Sequence, residues 1–179
     1  MNDQYWKKEY KKGKVKEPSP FFYFCKDRLK ITDVILDFAA GDGRDTFALN
    51  KVCGNVAYIE PNNTLPFVGF ENIKAVDEVD VMFTVIYARW AIHAVDRKTE
   101  DELIALAEKN GAKLMLEFRV TGDNPDNTHE RRLINLGKFI EKLLDKNFTI
   151  TYLKKGYGMS KVGKNDPLLA RIVAECKGC

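Results

Sequence analysis

A short apolar run that breaks into two glycines amid a crowd of acids constrains this chain more than any other stretch. It reads Val34-Ile35-Leu36-Asp37-Phe38-Ala39-Ala40-Gly41-Asp42-Gly43-Arg44-Asp45. The apolar run predicts a buried strand, and the glycine pair lets the chain turn tightly into a helix expected over 45–52. Units of this kind hold nucleotide-like ligands, because free backbone N–H groups and a helix N-terminus face the ligand. That arrangement ordinarily favours phosphate. Here Asp37, Asp42 and Asp45 surround the turn, and their charges oppose a pyrophosphate and favour a ligand that is cationic or rich in hydroxyl and amino groups. A dinucleotide fingerprint needs a third glycine where this chain has Thr46, and no Gly-Lys-Ser/Thr follows as in an ATP-binding loop. The turn therefore reads as a holder of a nucleoside without phosphate; the plainer alternative is a tight strand-to-helix turn with no ligand.

Glu60 ends the next apolar run, residues 56–59, and lies 23 residues beyond Asp37. An acid about 20 residues on, at the tip of the neighbouring strand, accepts both hydrogen bonds of a ribose diol. An exposed loop acid is the other reading. Glu60 does not separate one adenosine-containing ligand from another; the turn does.

Strand-like and helix-like segments alternate through the chain, which argues for an α/β layered domain with a largely parallel sheet. Ser19 followed by Pro20 predicts a helix start leading into Phe21-Phe22-Tyr23-Phe24. A strand is expected over 81–86. Only about twenty residues separate Glu60 from it, too few for a full helix–strand–helix insertion. The region 61–80 is thus compressed, with a short strand near 72–76. Thr99-Glu100-Asp101-Glu102 reads as a capping box opening a helix that runs to Asn110 and stops at Gly111. A buried strand comes next over 113–118, then a helix over 131–146 and a terminal strand pair over 148–153 and 168–176. At 179 residues this is one domain, with a helical, basic N-terminal arm over 1–30 and an α/β core over 31–179.

Residues 1–30 carry nine lysines and arginines against four acids, in a chain of net charge +3. Such an arm suits an anionic partner such as RNA, or is simply a solvated helix. Trp6, Tyr10 and the Phe21 to Phe24 run read as a packing face or as a lid. No apolar run approaches the length of a membrane span, and the N-terminus lacks the apolar segment of a secretory signal. Four sparse cysteines fit a reducing cytoplasm. Cys176-x-x-Cys179 lacks two further zinc ligands, and Cys25 and Cys53 lack paired spacing, so no metal is expected. His93 and His129, the only histidines, are candidate general bases or structural residues. Arg89, Arg119, Arg131 and Arg132 suit a carboxylate or phosphate, or salt bridges at a sheet edge.

The stretch Asp37-Phe38-Ala39-Ala40-Gly41-Asp42-Gly43 resembles the first motif of class I S-adenosylmethionine-dependent methyltransferases, which usually have Gly where this chain has Ala39. Tyr87-Ala88-Arg89-Trp90 with His93-Ala94 is similar to the Tyr-Ser-Arg-Phe and His-Ala segment of a small branch of that family, some of it linked with surface-polysaccharide biosynthesis. Glu117-Phe118-Arg119, His129-Glu130-Arg131-Arg132, Asp166-Pro167 and Glu17-Pro18-Ser19-Pro20-Phe21 resemble further segments of the same branch. The resemblance implies a Rossmann-like three-layer sandwich whose mostly parallel sheet ends in an antiparallel strand pair. It implies S-adenosylmethionine as cofactor and a small-molecule or saccharide-like acceptor methylated at oxygen. Asp37, Ala39, Gly41, Asp42, Gly43, Asp45, Glu60 and Tyr87 would then bind the cofactor. Arg89, Trp90, Arg119 and Arg131 would bind the acceptor, with His93 and His129 as bases. The alternatives are an RNA methyltransferase using the basic arm, a NAD-linked oxidoreductase, and a non-catalytic S-adenosylmethionine-binding protein.

Overall fold

The computed structural model describes residues 17–61, 71–73, 75–123, 132–160 and 165–177. Trp6, Tyr10, His129, Arg131, Cys179 and residues 1–16 of the arm lie outside the described residues. Among those described, seven strands form one sheet: β1 (Val34–Phe38), β2 (Asn55–Ile59), β3 (Glu71–Ile73), β4 (Val85–Arg89), β5 (Lys113–Arg119), β6 (Phe148–Gly156) and β7 (Leu169–Cys176). Their order is β3-β2-β1-β4-β5-β7-β6. The first five run parallel, while β7 pairs antiparallel with both β5 and β6. This is the expected mostly parallel sheet ending in an antiparallel pair. The short region between β2 and β4 holds the three-residue β3 and a 3-10 turn at Val76–Glu78.

Strands buried on both faces carry apolar side chains to alternate sides. On one side Ile35, Val85, Tyr87 and Met115 pack under helices α1 (Pro20–Lys26) and α2 (Arg44–Cys53), through Phe21, Phe22, Cys25, Ala48 and Leu49. On the other, Leu36, Phe38, Ile86, Ala88, Leu114 and Phe118 pack under α3 (Arg97–Asn110) and α4 (Leu136–Asp145). Full burial of each such Leu, Ile or Phe is worth about 1.5–3 kcal/mol, so these two faces are the main driving force for the three layers. No helix among the described residues is long and apolar enough to cross a membrane.

Several boundaries differ from those the sequence predicts. β4 begins at Val85 rather than at 81, because Val81 and Met82 are 39% and 62% exposed and take no part in the ladder. It runs on to Arg89, which pairs with Glu117 in register. Helix α3 is capped by Asp96, whose Oδ1 accepts the Thr99 N–H at 2.8 Å, so Thr99 lies inside the first turn instead of capping it. Helix α4 starts at Leu136, with the Asn135 side chain accepting from the Lys138 N–H. The preceding residues are drawn away from helix: Ile134 bridges to Val120, and Arg132 reaches the Ile92 carbonyl and the Glu100 carboxylate. Ser19 does cap α1 as expected, accepting the Phe22 N–H at 3.0 Å ahead of Pro20.

Candidate functional site

The strand order reverses between β1 and β4, and open α/β sheets bind ligands at the carboxyl ends of strands beside such a reversal. The glycine turn lies there. Ala39, Gly41 and Gly43 all have left-handed backbones, with φ of 59°, 62° and 74°. Gly tolerates that region freely and Ala does not, which explains why the related motif usually has Gly at the Ala39 position. Three of the turn's N–H groups are already engaged within the protein. Gly41 donates to Glu60 Oε2 at 3.0 Å, Gly43 to the Ala40 carbonyl at 3.0 Å, and Ala40 to the Ile59 carbonyl at 3.2 Å. A phosphate would have to compete with a buried carboxylate for the Gly41 N–H. The geometry thus gives the phosphate-averse reading of the turn a second, independent footing.

Beside the turn opens a cleft of about 210 Å³, walled by Phe38, Ala39, Ile59, Val76 and Val95, with Glu60 and Thr99 among its polar groups. Apolar walls suit a purine face, and a carboxylate at the rim suits a ribose diol. Glu60 is only 4% exposed, so the sequence's alternative of a loop acid in solvent is not what the fold contains.

Asp37 is buried at the end of β1 and accepts the Thr46 hydroxyl at 2.6 Å. Burial first, then the neighbouring charges of Asp45 and Glu60, pushes its carboxyl up to about 8 despite the Thr46 bond. Thr46, which occupies the position of a dinucleotide fingerprint's third glycine, therefore has its own task of holding Asp37. The sequence signal was present as a hydroxyl nine residues after the acid, in the first turn of α2.

Asp45 and Tyr87 face the α1 side of the sheet. Asp45 accepts the Ser19 N–H at 2.7 Å, the Ser19 hydroxyl at 2.6 Å and the Tyr87 hydroxyl at 2.7 Å. Tyr87 is fully buried, its ring 4.9 Å from that of Phe21. Burial, and then the Asp45 charge, holds its phenol well above its ordinary range. Asp45 does not cap its own helix, where Gly43 stands at the N-cap without a side-chain bond. These two residues pin α1 to β4 and α2, a structural task.

A second group of residues lies at the carboxyl ends of β4 and β5. Arg89, Glu117 and Arg171 stand side by side on β4, β5 and β7. Glu117 is fully buried. It accepts from Ser160 Oγ at 2.8 Å and from Arg171 Nε at 2.7 Å, and Arg89 Nε approaches it at 3.4 Å. Trp90 has a left-handed backbone, φ 58°, fixed by its N–H donating to the Glu117 carbonyl at 2.7 Å. Its ring takes the Arg89 guanidinium at 4.6 Å and that of Arg119 at 5.6 Å. Arg119 is 2% exposed and bonds Asp123 at 2.8 Å. Arg171 and Ser160 escaped the sequence reading, although a single Arg inside the apolar run Leu168–Ala174 was a signal that something buried must neutralise it.

His93 is 3% exposed, and its Nδ1 accepts the Arg119 backbone N–H at 3.2 Å. A neutral imidazole so bonded carries its proton on Nε2, where it donates rather than accepts. The bond weighs against His93 as a base and for a role in holding the β5 end.

No family model matches the sequence, and no curated protein matches it. Solved structures do match. A 1,6-didemethyltoxoflavin-N1-methyltransferase from Burkholderia thailandensis, with S-adenosylhomocysteine bound, superimposes with a TM-score of 0.70 at 16% identity over 89% of this chain and 77% of that one. An S-adenosylmethionine-dependent methyltransferase from Methanosarcina mazei gives 0.68 at 17% identity over 86% and 96%. The glycopeptide N-methyltransferase MtfA, complexed with S-adenosylmethionine, gives 0.65 at 14% identity over 89% and 95%. The fold is the Rossmann-like methyltransferase fold. At these identities the likeness describes architecture, and the chemistry has to be argued from the site.

Proposed function

We propose that this chain is an S-adenosylmethionine-dependent methyltransferase acting on a small-molecule or saccharide-like acceptor, at oxygen. The observation that carries the reading is the closure of the glycine turn by Glu60, with an apolar cleft beside it at the carboxyl edge of β1 and β2. That donor set fits the cofactor: apolar walls for adenine, Glu60 for the ribose, and Asp42 for its cationic end, joined by Asp37 once it gives up its proton. The turn's acids and occupied N–H groups disfavour the pyrophosphate of NAD. The three similar structures include complexes with S-adenosylmethionine and S-adenosylhomocysteine, which supports the same cofactor here.

When bound, the cofactor supplies a methyl group already activated by its sulfonium. The chain's own task is then orientation and exclusion of water, with removal of one proton where the acceptor is a hydroxyl. With His93 Nδ1 occupied, His129 is the remaining histidine for that proton. Tyr87-Ala88-Arg89-Trp90 ends β4 where base-amino methyltransferases have an Asn/Asp-Pro-Pro-aromatic signature, which favours oxygen over a nucleobase amine.

The test supplies S-adenosylmethionine carrying a labelled methyl, with a metabolite extract or with total RNA. Label is expected in low-molecular-weight products. Label in nuclease-sensitive material would replace this reading with RNA methylation. Cofactor binding without S-adenosylhomocysteine release on either substrate pool would leave a binding protein.

A further inference from the structure

Among the described residues, three side-chain donors are buried without a hydrogen-bond acceptor, and all three belong to the β4–β5 edge: Arg89 Nε, Trp90 Nε1 and Arg119 Nε. A buried donor without an acceptor is costly, so three in one place call for an explanation, and a ligand acceptor would supply one. The local charge points the same way. Among the described residues, Arg89, Arg119 and Arg171 pair with only two carboxylates. Glu117 is shared between Arg89 and Arg171, and Asp123 is held by Arg119 and by the Leu168 N–H. Burial, and then the charge of Arg44, holds Arg89 below its ordinary value against the opposing charges of Glu117 and Asp45.

The backbone adds a separate observation. Trp90 occupies the left-handed region, with φ 58°, which a side chain of that size rarely adopts. Strain of this kind persists where the surroundings over-determine it, and it clusters at ligand clamps. Here it sets the indole between two guanidinium groups. A guanidinium fork and an indole N–H are donor-only groups, and the complement of their free donors is an oxyanion. The Arg89 side chain is 14% exposed and Trp90 is half-buried, so solvent reaches both, while Arg119 lies deeper at 2%. β4 is the parallel sheet neighbour of β1, so Arg89 and Trp90 lie at the same edge as the glycine turn.

We propose that the methyl acceptor is an anion whose carboxylate or phosphate group docks on Arg89, Trp90 and Arg119. The identity of the bound molecule as acceptor rests on the methyltransferase reading; the oxyanion site does not.

The experiment uses the full chain with Trp6→Phe, which leaves Trp90 as the sole indole, and titrates sodium acetate or inorganic phosphate against chloride at matched ionic strength. A saturable millimolar change in emission is expected with at least one oxyanion and none with chloride. A response to acetate alone assigns a carboxylate, and a response to phosphate alone assigns a phosphate. In Arg89→Gln the midpoint should weaken at least tenfold. In Trp90→Phe, followed by thermal shift, the anion-induced rise in Tm should shrink. S-adenosylhomocysteine binding, measured on each protein, reports folding and the cofactor site separately. No oxyanion response in protein that binds S-adenosylhomocysteine overturns the proposal and leaves the methyltransferase reading standing. An unchanged response in Arg89→Gln overturns it as well. An oxyanion response without S-adenosylhomocysteine binding supports the site and removes the methyltransferase reading.

Discussion

Asp37 is the acid whose protonation couples the glycine turn to pH. Its folded value, about 8, lies above the ordinary value of about 4, so the folded protein holds the proton more tightly than the unfolded chain. The resulting stability is fully present below pH 4 and is lost as pH rises through 8. We predict that the Tm of the free protein falls between pH 5 and about pH 8.5, and that the fall is smaller in Asp37→Asn; parallel profiles would show that Asp37 does not titrate in this window. A cation held beside Asp37 would lower its value, so S-adenosylmethionine should bind more tightly as pH rises across the same window. At Ala39, relief of about 1–2 kcal/mol of left-handed strain outweighs the 0.4–1 kcal/mol of extra freedom Gly gives the unfolded chain. Ala39→Gly should therefore raise chemical-denaturation stability by up to about 1 kcal/mol. The acids around the turn were legible in the sequence, because charge and spacing are local. That Glu60 turns back on the Gly41 N–H was not, since that contact joins residues 19 apart in sequence.

At the scale of elements, seven-residue α1 is far too short to be stable alone and depends on what it is pinned to. Ser19 is that pin: it caps the helix and donates its hydroxyl to Asp45, which also takes the Tyr87 hydroxyl. Ser19→Ala removes the cap and leaves Asp45 short of a donor, and should cost about 1–2 kcal/mol in a urea titration. A cost near zero would mean that Asp45 finds water instead. The Ser-Pro start was readable because capping is a local signal. The starts of β4 and α4 were misread because apolar residues satisfy a pattern without being buried: Val81 and Met82 look like strand yet face solvent. Leu133 fits a helical repeat while its neighbours Arg132 and Ile134 are held by Ile92, Glu100 and Val120. Those partners are distant in sequence, and no local pattern contains them.

For the molecule as a whole, alternation of segments was enough to give a largely parallel sheet, since period-two and helical patterns report burial directly, while its antiparallel end came from the family resemblance. Register was not legible. It aligns Arg89, Glu117 and Arg171 across three strands and sets Trp90 between two arginines, turning scattered basic residues into one buried group. The three solved structures named above share this fold at 14–17% identity, so what the chain shares with them is layer architecture, and the ligand has to be measured. Isothermal titration of the purified chain with S-adenosylhomocysteine, S-adenosylmethionine and NAD is the most direct measurement. We predict one site for each sulfur nucleoside, weakened about tenfold (about 1.4 kcal/mol) by Glu60→Gln, and no heat with NAD. Binding of NAD with none of either sulfur nucleoside would contradict the account.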